Sequence, residues 1–450
     1  MTTRAVSSGV ALLTALVSIP ALAGGHRPGY DRLVAEFGDR VPDGRRIEVA
    51  QVEPPSPLIG DDEDASRRSH IPGRHRPEFR GVTFLNVADN ALDDSSHATT
   101  TGRALYGRGT SVAPGVNRVH LYTANEFLRG LGRPSGLGPA RVWNHSWIGG
   151  LPEQDGRVLR ALDSAVVRRG WVVTCGIANN PRKRNPPLLA SAFNVLAVGR
   201  SDGNHSTRLS AVDGPYEATV HRPHLVASAS KTSEAAPRVG SVATLLLDAL
   251  VADPVPGRRP DDDARIVRAA LMAGADRRLK RAEGAPSGPP ERLDVNTPNG
   301  LNAQFGAGEL NVYESGRIVL TGAAEPVPER DATWQSVESS GYWHARRVGQ
   351  VGGTGLASRL ALTPPRAGTL TVALIWDWSP ARRNHPSDLS LAVFTGESEP
   401  RLIQRVDGHA DTGEHLQIAI ADGERIDVVV GAARPHDART PFAVAWRVSD

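Results

Sequence analysis

Between residues 45 and 320, short apolar runs alternate with longer stretches whose apolar positions recur every three or four residues. The runs RRIEVAQVE (45–53), GVTFLNVA (81–88), RVHLYTA (118–124), ARVWNHSWIGG (140–150), WVVTCGIA (171–178) and FNVLAVGR (193–200) read as strands. The near-continuous apolar character of WVVTCGIA and FNVLAVGR is that of strands buried on both faces. The stretches YDRLVAEFGDRV (30–41), SSHATTTGRALYG (95–107), EQDGRVLRALDSAVVRRG (153–170), SVATLLLDALV (241–251) and DDDARIVRAALMAGA (261–275) read as helices. In the third of these, Val158, Leu159, Leu162, Val166 and Val167 share one face. Strands alternating with helices of this length predict an α/β fold, a parallel sheet with helices on both faces.

Beyond residues 325–330 the helical period disappears. TLTVALIWDW (369–378), DLSLAVFTG (388–396), EHLQIAIADG (414–423), RIDVVVGAA (425–433) and PFAVAWRV (441–448) are short alternating runs between polar turns. They predict an all-β antiparallel sandwich. The reading divides the chain into a signal segment (1–23), a short lead (24–45), the α/β domain (46–325) and the sandwich (330–450). A unit of that size is large enough to fold alone, so an independent second domain is expected.

The first residues bear on the compartment. MTTRAVSSGVALLTALVSIPALAGG has one Arg, an apolar stretch from Val10 to Leu22, and Ala-Leu-Ala before Gly24. That is the layout of a secretory signal cleaved after Ala23, and it predicts a secreted or periplasmic protein. No later run reads as long and apolar enough to cross a membrane. The single cysteine, Cys175, excludes an internal disulfide. With 40% hydrophobic and 22% charged residues, the chain belongs with folded proteins. Lys and Arg number 52 against 49 Asp and Glu, and NNPRKRN (179–185) is short and isolated, so no nucleic-acid partner is expected. The oligomeric state is not legible.

In an open parallel sheet, sites form at the carboxyl ends of strands and at the helix starts that follow. Four stretches place polar residues there: Glu53 ends VAQVE, His97 starts SSHATTTG, Asn179 and Asn180 leave TCGIANN, and Ser233 starts KTSEAAP. Acid, imidazole, amide and hydroxyl are the parts required for acyl transfer. Each also has a plainer use. Ser before a helix is a favoured N-cap, Asn before Pro is a turn former, and Pro237 would sit in the first helical turn. Asp89, eight residues before His97, is an alternative acid. DDED (61–64) offers hard ligands suited to Ca²⁺, or a solvated turn.

The order acid, His, Ser, together with SHATTTG (96–102), VAPGV (112–116), WNHSWIGG (143–150), WVVTCGIANN (171–180), FNVLAVGRSDG (193–203), HRPHLVASAS (221–230), KTSEAAPRVG (231–240) and FGAGELNVYESG (305–316), resembles the subtilisin-like serine peptidases. The resemblance spans about 46–320. It implies a secreted endopeptidase with Ser233 as nucleophile, His97 as base and acid, Glu53 as orienter, and Asn179 or Asn180, the former preferred, as oxyanion donor. It implies that Ser146, Trp147, Ile148, Gly149 and Gly150 pair with an extended peptide or protein substrate. No cofactor is needed for the chemistry; structural Ca²⁺ is known in such proteins. Three departures stand out. Glu53 replaces Asp, Lys231 replaces a Gly, and Glu234 adds a negative charge beside the nucleophile. They raise a second reading, a catalytically impaired fold kept as a protein-binding module. The C-terminal unit resembles the β-rich modules that follow the catalytic domain in many such enzymes.

Overall fold

Five consecutive buried residues, Val49–Glu53, form strand β1, and the sheet extends on both sides of it. The computed structural model describes residues 27–57, 68–87, 94–133, 136–151, 153–216, 220–279, 291–292, 294–295, 297–324, 340–349, 357–364, 366–395, 400–409 and 411–450. The expected signal segment, the DDED stretch, Asp89 and residues 325–330 lie outside them.

Helix α1 (Arg27–Phe37) precedes β1. A two-residue ladder of β2 (Ser56–Pro57) and β3 (Arg68–Ser69) follows. Then come β4 (Thr83–Leu85), α2 (Ser96–Tyr106), β5 (Arg118–Thr123), α3 (Ala124–Leu131), β6 (Val142–His145), α4 (Asp155–Arg169), β7 (Val172–Gly176), β8 (Leu196–Arg200) and β9 (Leu225–Ala227). After them lie α5 (Thr232–Ala252), α6 (Pro260–Gly274), the small β10 (Arg278–Leu279) and β11 (Glu291–Arg292) pair, and α7 (Val312–Thr321). The sheet order is β4-β5-β1-β6-β7-β8-β9, with every pairing parallel. The chain leaves β1 toward β5 on one side and returns to β6 on the other. A crevice therefore opens at the carboxyl end of β1, where such sheets bind ligands.

Two helices escape the sequence pattern. Helix α3 occupies what reads as a glycine-rich connection, because Thr123 and Glu126 form a reciprocal capping box at its start. Helix α7 begins in the NVYESG stretch and is capped by Asn311, whose side chain accepts from the Glu314 N–H. The expectation about membrane-crossing runs is also corrected. Helix α5, with 21 residues, is long and apolar enough by length and composition. Its most apolar 18-residue window is, however, 83% buried inside the fold, and the helix packs against β6, β7, β8 and α6. That is the setting of a core helix.

The C-terminal unit is an antiparallel sandwich of β12 (Ser340–Ala345), β13 (Ala357–Leu362), β14 (Gly368–Trp376), β15 (Leu389–Thr395), β16 (Arg401–Val406), β17 (Gly413–Ile420), β18 (Ile426–Ala432) and β19 (Phe442–Ser449). One sheet runs β12-β19-β14-β17 and the other β13-β18-β15-β16. Its inward residues, including Trp343, Leu360, Val372, Leu391, Val428 and Trp446, form a core of their own.

The first sheet of this unit also packs on the α/β domain. Tyr342, Ala373, Ile375, Ala443 and Ala445 point away from the sandwich core and join the core of the α/β domain. Helix α6 lies beneath them, against β14 and β19. Charged groups are buried in the same seam. Asp377 accepts from Arg265 at 2.5 Å and also from Arg268, and Arg222 pairs with Asp411 at 3.0 Å. Arg447 on β19 donates to the Ala273 and Ala275 carbonyls at 2.8 and 2.9 Å. It thereby satisfies acceptors that the end of α6 leaves open. Asp377→Ala should lower stability by about 3–5 kcal/mol, because it strips two buried guanidinium groups of a shared carboxylate. Urea unfolding with an unchanged m-value checks this; a loss below about 1 kcal/mol would make the seam incidental to folding.

Candidate active site

Glu53 ends β1 opposite Thr123 of β5, with no exposed surface. A buried carboxylate requires donors, and among the described residues two reach it. Gln51 Nε2 donates to Oε1 at 3.0 Å, and His97 Nδ1 lies 2.7 Å from Oε2. His97 is the second residue of α2, which is capped by Ser95; the Ser95 hydroxyl oxygen accepts from the Ala98 N–H at 3.2 Å. Because a carboxylate only accepts, His97 carries its proton on Nδ1 and turns Nε2 away from Glu53. The Glu53 bond raises the imidazole above its ordinary value of 6.5, against burial and the charge of Lys231 and with help from Glu234.

Ser233 is the second residue of α5, and the chain around it is fixed from three sides. Thr232 Oγ1 donates to the Ile177 carbonyl at 2.5 Å. The Thr232 N–H donates to Asn179 Oδ1 at 2.8 Å. Ser146 Oγ donates to the Ser233 carbonyl at 2.9 Å. The last bond answers a defect of the helix. Pro237 lies in the second turn, not the first, and has no N–H for the carbonyl four residues back. That carbonyl belongs to Ser233, and Ser146 fills the vacancy. Thr174 Oγ1 donates to Asn144 Oδ1 at 3.1 Å, and Asn144 Nδ2 donates to Ser146 Oγ at 2.9 Å. The start of α5 is thus tied to the ends of β6 and β7. Gly176 completes the fit, since a Cβ there would lie 3.2 Å from the Thr232 carbonyl oxygen.

His97, Asn179, Ser233, Lys231, Thr232, Gly176, Ile177 and the segment Ser146–Ile148 line one cleft of about 290 Å³. Asn179 and Asn180 separate here. An amide N–H can only meet an oxygen, so the Thr232 contact fixes the Asn179 carbonyl and leaves its NH₂ group as the other end. Both residues are exposed, but Asn180 Oδ1 accepts from the Arg182 N–H in a local turn at 2.9 Å. The Ser146–Gly150 segment is divided as well. Ser146 is buried, with its hydroxyl committed to α5. Gly149 exchanges both backbone hydrogen bonds with Leu188, at 3.0 and 3.3 Å. Ile148 is 45% exposed. His145, next to Ser146, is fully buried against Phe127, and burial pushes its imidazole down to about 3.

Gln51, Tyr106, Asn144, Thr174 and Thr232 are site residues that sequence reasoning missed. The signal was there for three of them. Gln51, Asn144 and Thr174 are polar residues inside strands that are otherwise apolar, and a buried polar side chain requires a partner. A group of candidate metal ligands also forms where no sequence spacing suggested one. Asp388, Asp407 and His409 bring one ligand atom each within 4.8 Å of one another on the sandwich. His409 Nδ1 lies 3.0 Å from Asp388 Oδ2, an ion pair that accounts for the approach.

No protein-family model matches the chain, and no curated protein sequence matches it. Solved structures do. The prenylagaramide maturation protease PagA is 20% identical, with a TM-score of 0.44, over 65% of this chain and 99% of its own. The PatG macrocyclase in complex with peptide is 14% identical, with a TM-score of 0.41, over 65% and 96%. Pseudomonas sedolisin, a serine-carboxyl proteinase, is 12% identical, with a TM-score of 0.40, over 66% and 98%. At TM-scores below 0.5 these likenesses carry no argument about what this chain does.

Proposed function

We propose that the protein is an exported serine endopeptidase of the subtilisin-like kind, acting through Ser233, His97 and Glu53. One observation carries the reading: a buried carboxylate 2.7 Å from His97 Nδ1, on an imidazole that shares its cleft with a Ser at a helix start. Ser233 Oγ would attack a peptide carbonyl carbon while His97 Nε2 takes the hydroxyl proton. The oxyanion would accept from the Ser233 N–H and Asn179 Nδ2. His97 would return the proton to the departing amine, leaving an acyl-enzyme. Water then repeats the sequence in reverse and frees the acid. Because Gly149 is already paired, the substrate strand would add against Ser146–Ile148. The signal-like N-terminus supports export, and nothing in the proposed chemistry requires a metal.

The second reading, a fold kept for binding, is favoured by Lys231, which lines the cleft and opposes the positive charge that His97 must carry in mid-reaction. A fluorophosphonate probe separates the two. Ser233 should be labelled, and Ser233→Ala should abolish labelling. An unlabelled wild type would favour the binding module, and labelling that survives in Ser233→Ala would place the nucleophile elsewhere.

Two further outcomes follow from the Glu53–His97 pair. Glu53→Gln should lower kcat by about 10⁴, the order seen when a triad loses its acid, with circular dichroism unchanged; a silent substitution would remove Glu53 from the mechanism. The general base works neutral. Since Glu53 raises His97 above 6.5, kcat/KM should rise with pH through a midpoint above that value. In Glu53→Gln the residual activity should rise at lower pH. A pH–rate profile of both forms checks the sign.

A further inference from the structure

We propose that Gln51 and Tyr106 are positioning residues that set the distance between the acid Glu53 and the base His97; this rests on the serine peptidase reading above. Gln51 and Glu53 are two apart on β1, so their side chains stand on the same face. Gln51 Nε2 donates to Glu53 Oε1 at 3.0 Å and to the Ala98 carbonyl at 2.7 Å. Tyr106 OH donates to Gln51 Oε1 at 2.6 Å. The orientation of the amide is settled by its partners: the end facing a carboxylate and a carbonyl must be NH₂, so the tyrosine must be the donor at the other end. None of the three side chains is exposed.

What this network joins matters more than its completeness. Ala98 directly follows His97. One amide group therefore ties the carboxylate of β1 to the turn of α2 that carries the imidazole. Glutamate has one more rotatable bond than aspartate, and a longer acid can place its oxygens in more ways. Gln51 takes up one oxygen and leaves the other for His97. Tyr106 in turn fixes Gln51, and its ring is held by Phe79 and Phe84, with centroids 5.4 and 6.1 Å away. The space for this arrangement exists because residue 102, one turn before Tyr106, is glycine. A Cβ there would lie 2.5 Å from the tyrosine oxygen and 3.2 Å from Gln51 Oε1. The polar residue in β1, the glycine in α2 and the glutamate at the strand end thus form one device.

The test uses Gln51→Leu and Tyr106→Phe in the full chain, the second keeping the ring. Loss of one hydrogen bond to a charged group predicts a fall in kcat of roughly tenfold to a hundredfold for Gln51→Leu. Loss of the neutral bond behind it predicts about threefold to tenfold for Tyr106→Phe. KM should stay unchanged in both. The charges of Lys231 and Glu234 act on His97, and that of Glu53 acts on His70 and Tyr106. Tyr106→Phe alters none of these charges at neutral pH, so a downward move of the acid limb reads the Glu53–His97 bond itself. Proton NMR gives a readout independent of turnover: the downfield Nδ1–H resonance of His97 should move upfield or broaden in both variants. An unchanged acid limb and an unchanged resonance in folded Tyr106→Phe and Gln51→Leu would overturn the proposal and leave a filler of the core. Should Gln51→Leu not fold, Tyr106→Phe decides. A wild type that fluorophosphonate does not label would sink the peptidase reading, while the resonance would still decide whether these residues position His97.

Discussion

The carboxylate of Glu53 is the constraint around which the α/β domain is arranged. It sits at the end of the first strand, with no exposed surface, and must be matched by donors. The parallel sheet supplies the place, because its chain reversal at β1 opens the crevice beside that strand end. Helix α2 supplies the imidazole and β1 itself supplies the amide of Gln51. Moving either donor leaves a charge buried without its partner. The geometry that could orient a base is therefore also a condition for burying the acid.

A similar coupling operates at the nucleophile. Pro237 removes the helical donor to the Ser233 carbonyl, and the vacancy binds α5 to Ser146. An uninterrupted helix would satisfy that carbonyl internally and leave its first turn free to shift. Here the break in the ladder locks α5 to β6, while Thr232 locks it to the chain after β7. Acid, base and hydroxyl are carried by three elements, each tied to another by a hydrogen bond that regular secondary structure would not make.

Much of this was legible in the sequence, and the rest was hidden for identifiable reasons. The strand ends carrying Glu53, the helix start with His97 and the helix start with Ser233 follow from period and polar interruptions. The choice between Asn179 and Asn180 does not, since both sit in one turn and only the Thr232 contact separates them. The bond from Ser146 to the Ser233 carbonyl was hidden because a hydroxyl in a cleft strand can face substrate or protein, and the position of Pro237 decides which. Gln51 was visible as a polar residue in a buried strand, yet its partners come from residues 98 and 106, which pattern alone does not bring together.

The sandwich was read as separate because its strands alternate cleanly, and alternation says only that one face of each strand is more buried. For β14 and β19 both faces are buried: one in the sandwich, the other against α6. Small residues mark the second face, with Ala373, Ala443 and Ala445 allowing the helix close approach. Arg265 and Arg268 of α6 then reach Asp377 at the end of β14. Helix α6 also packs on α5, whose first turn carries Ser233. The sandwich is thus two layers away from the proposed nucleophile and continuous with it through packed helices.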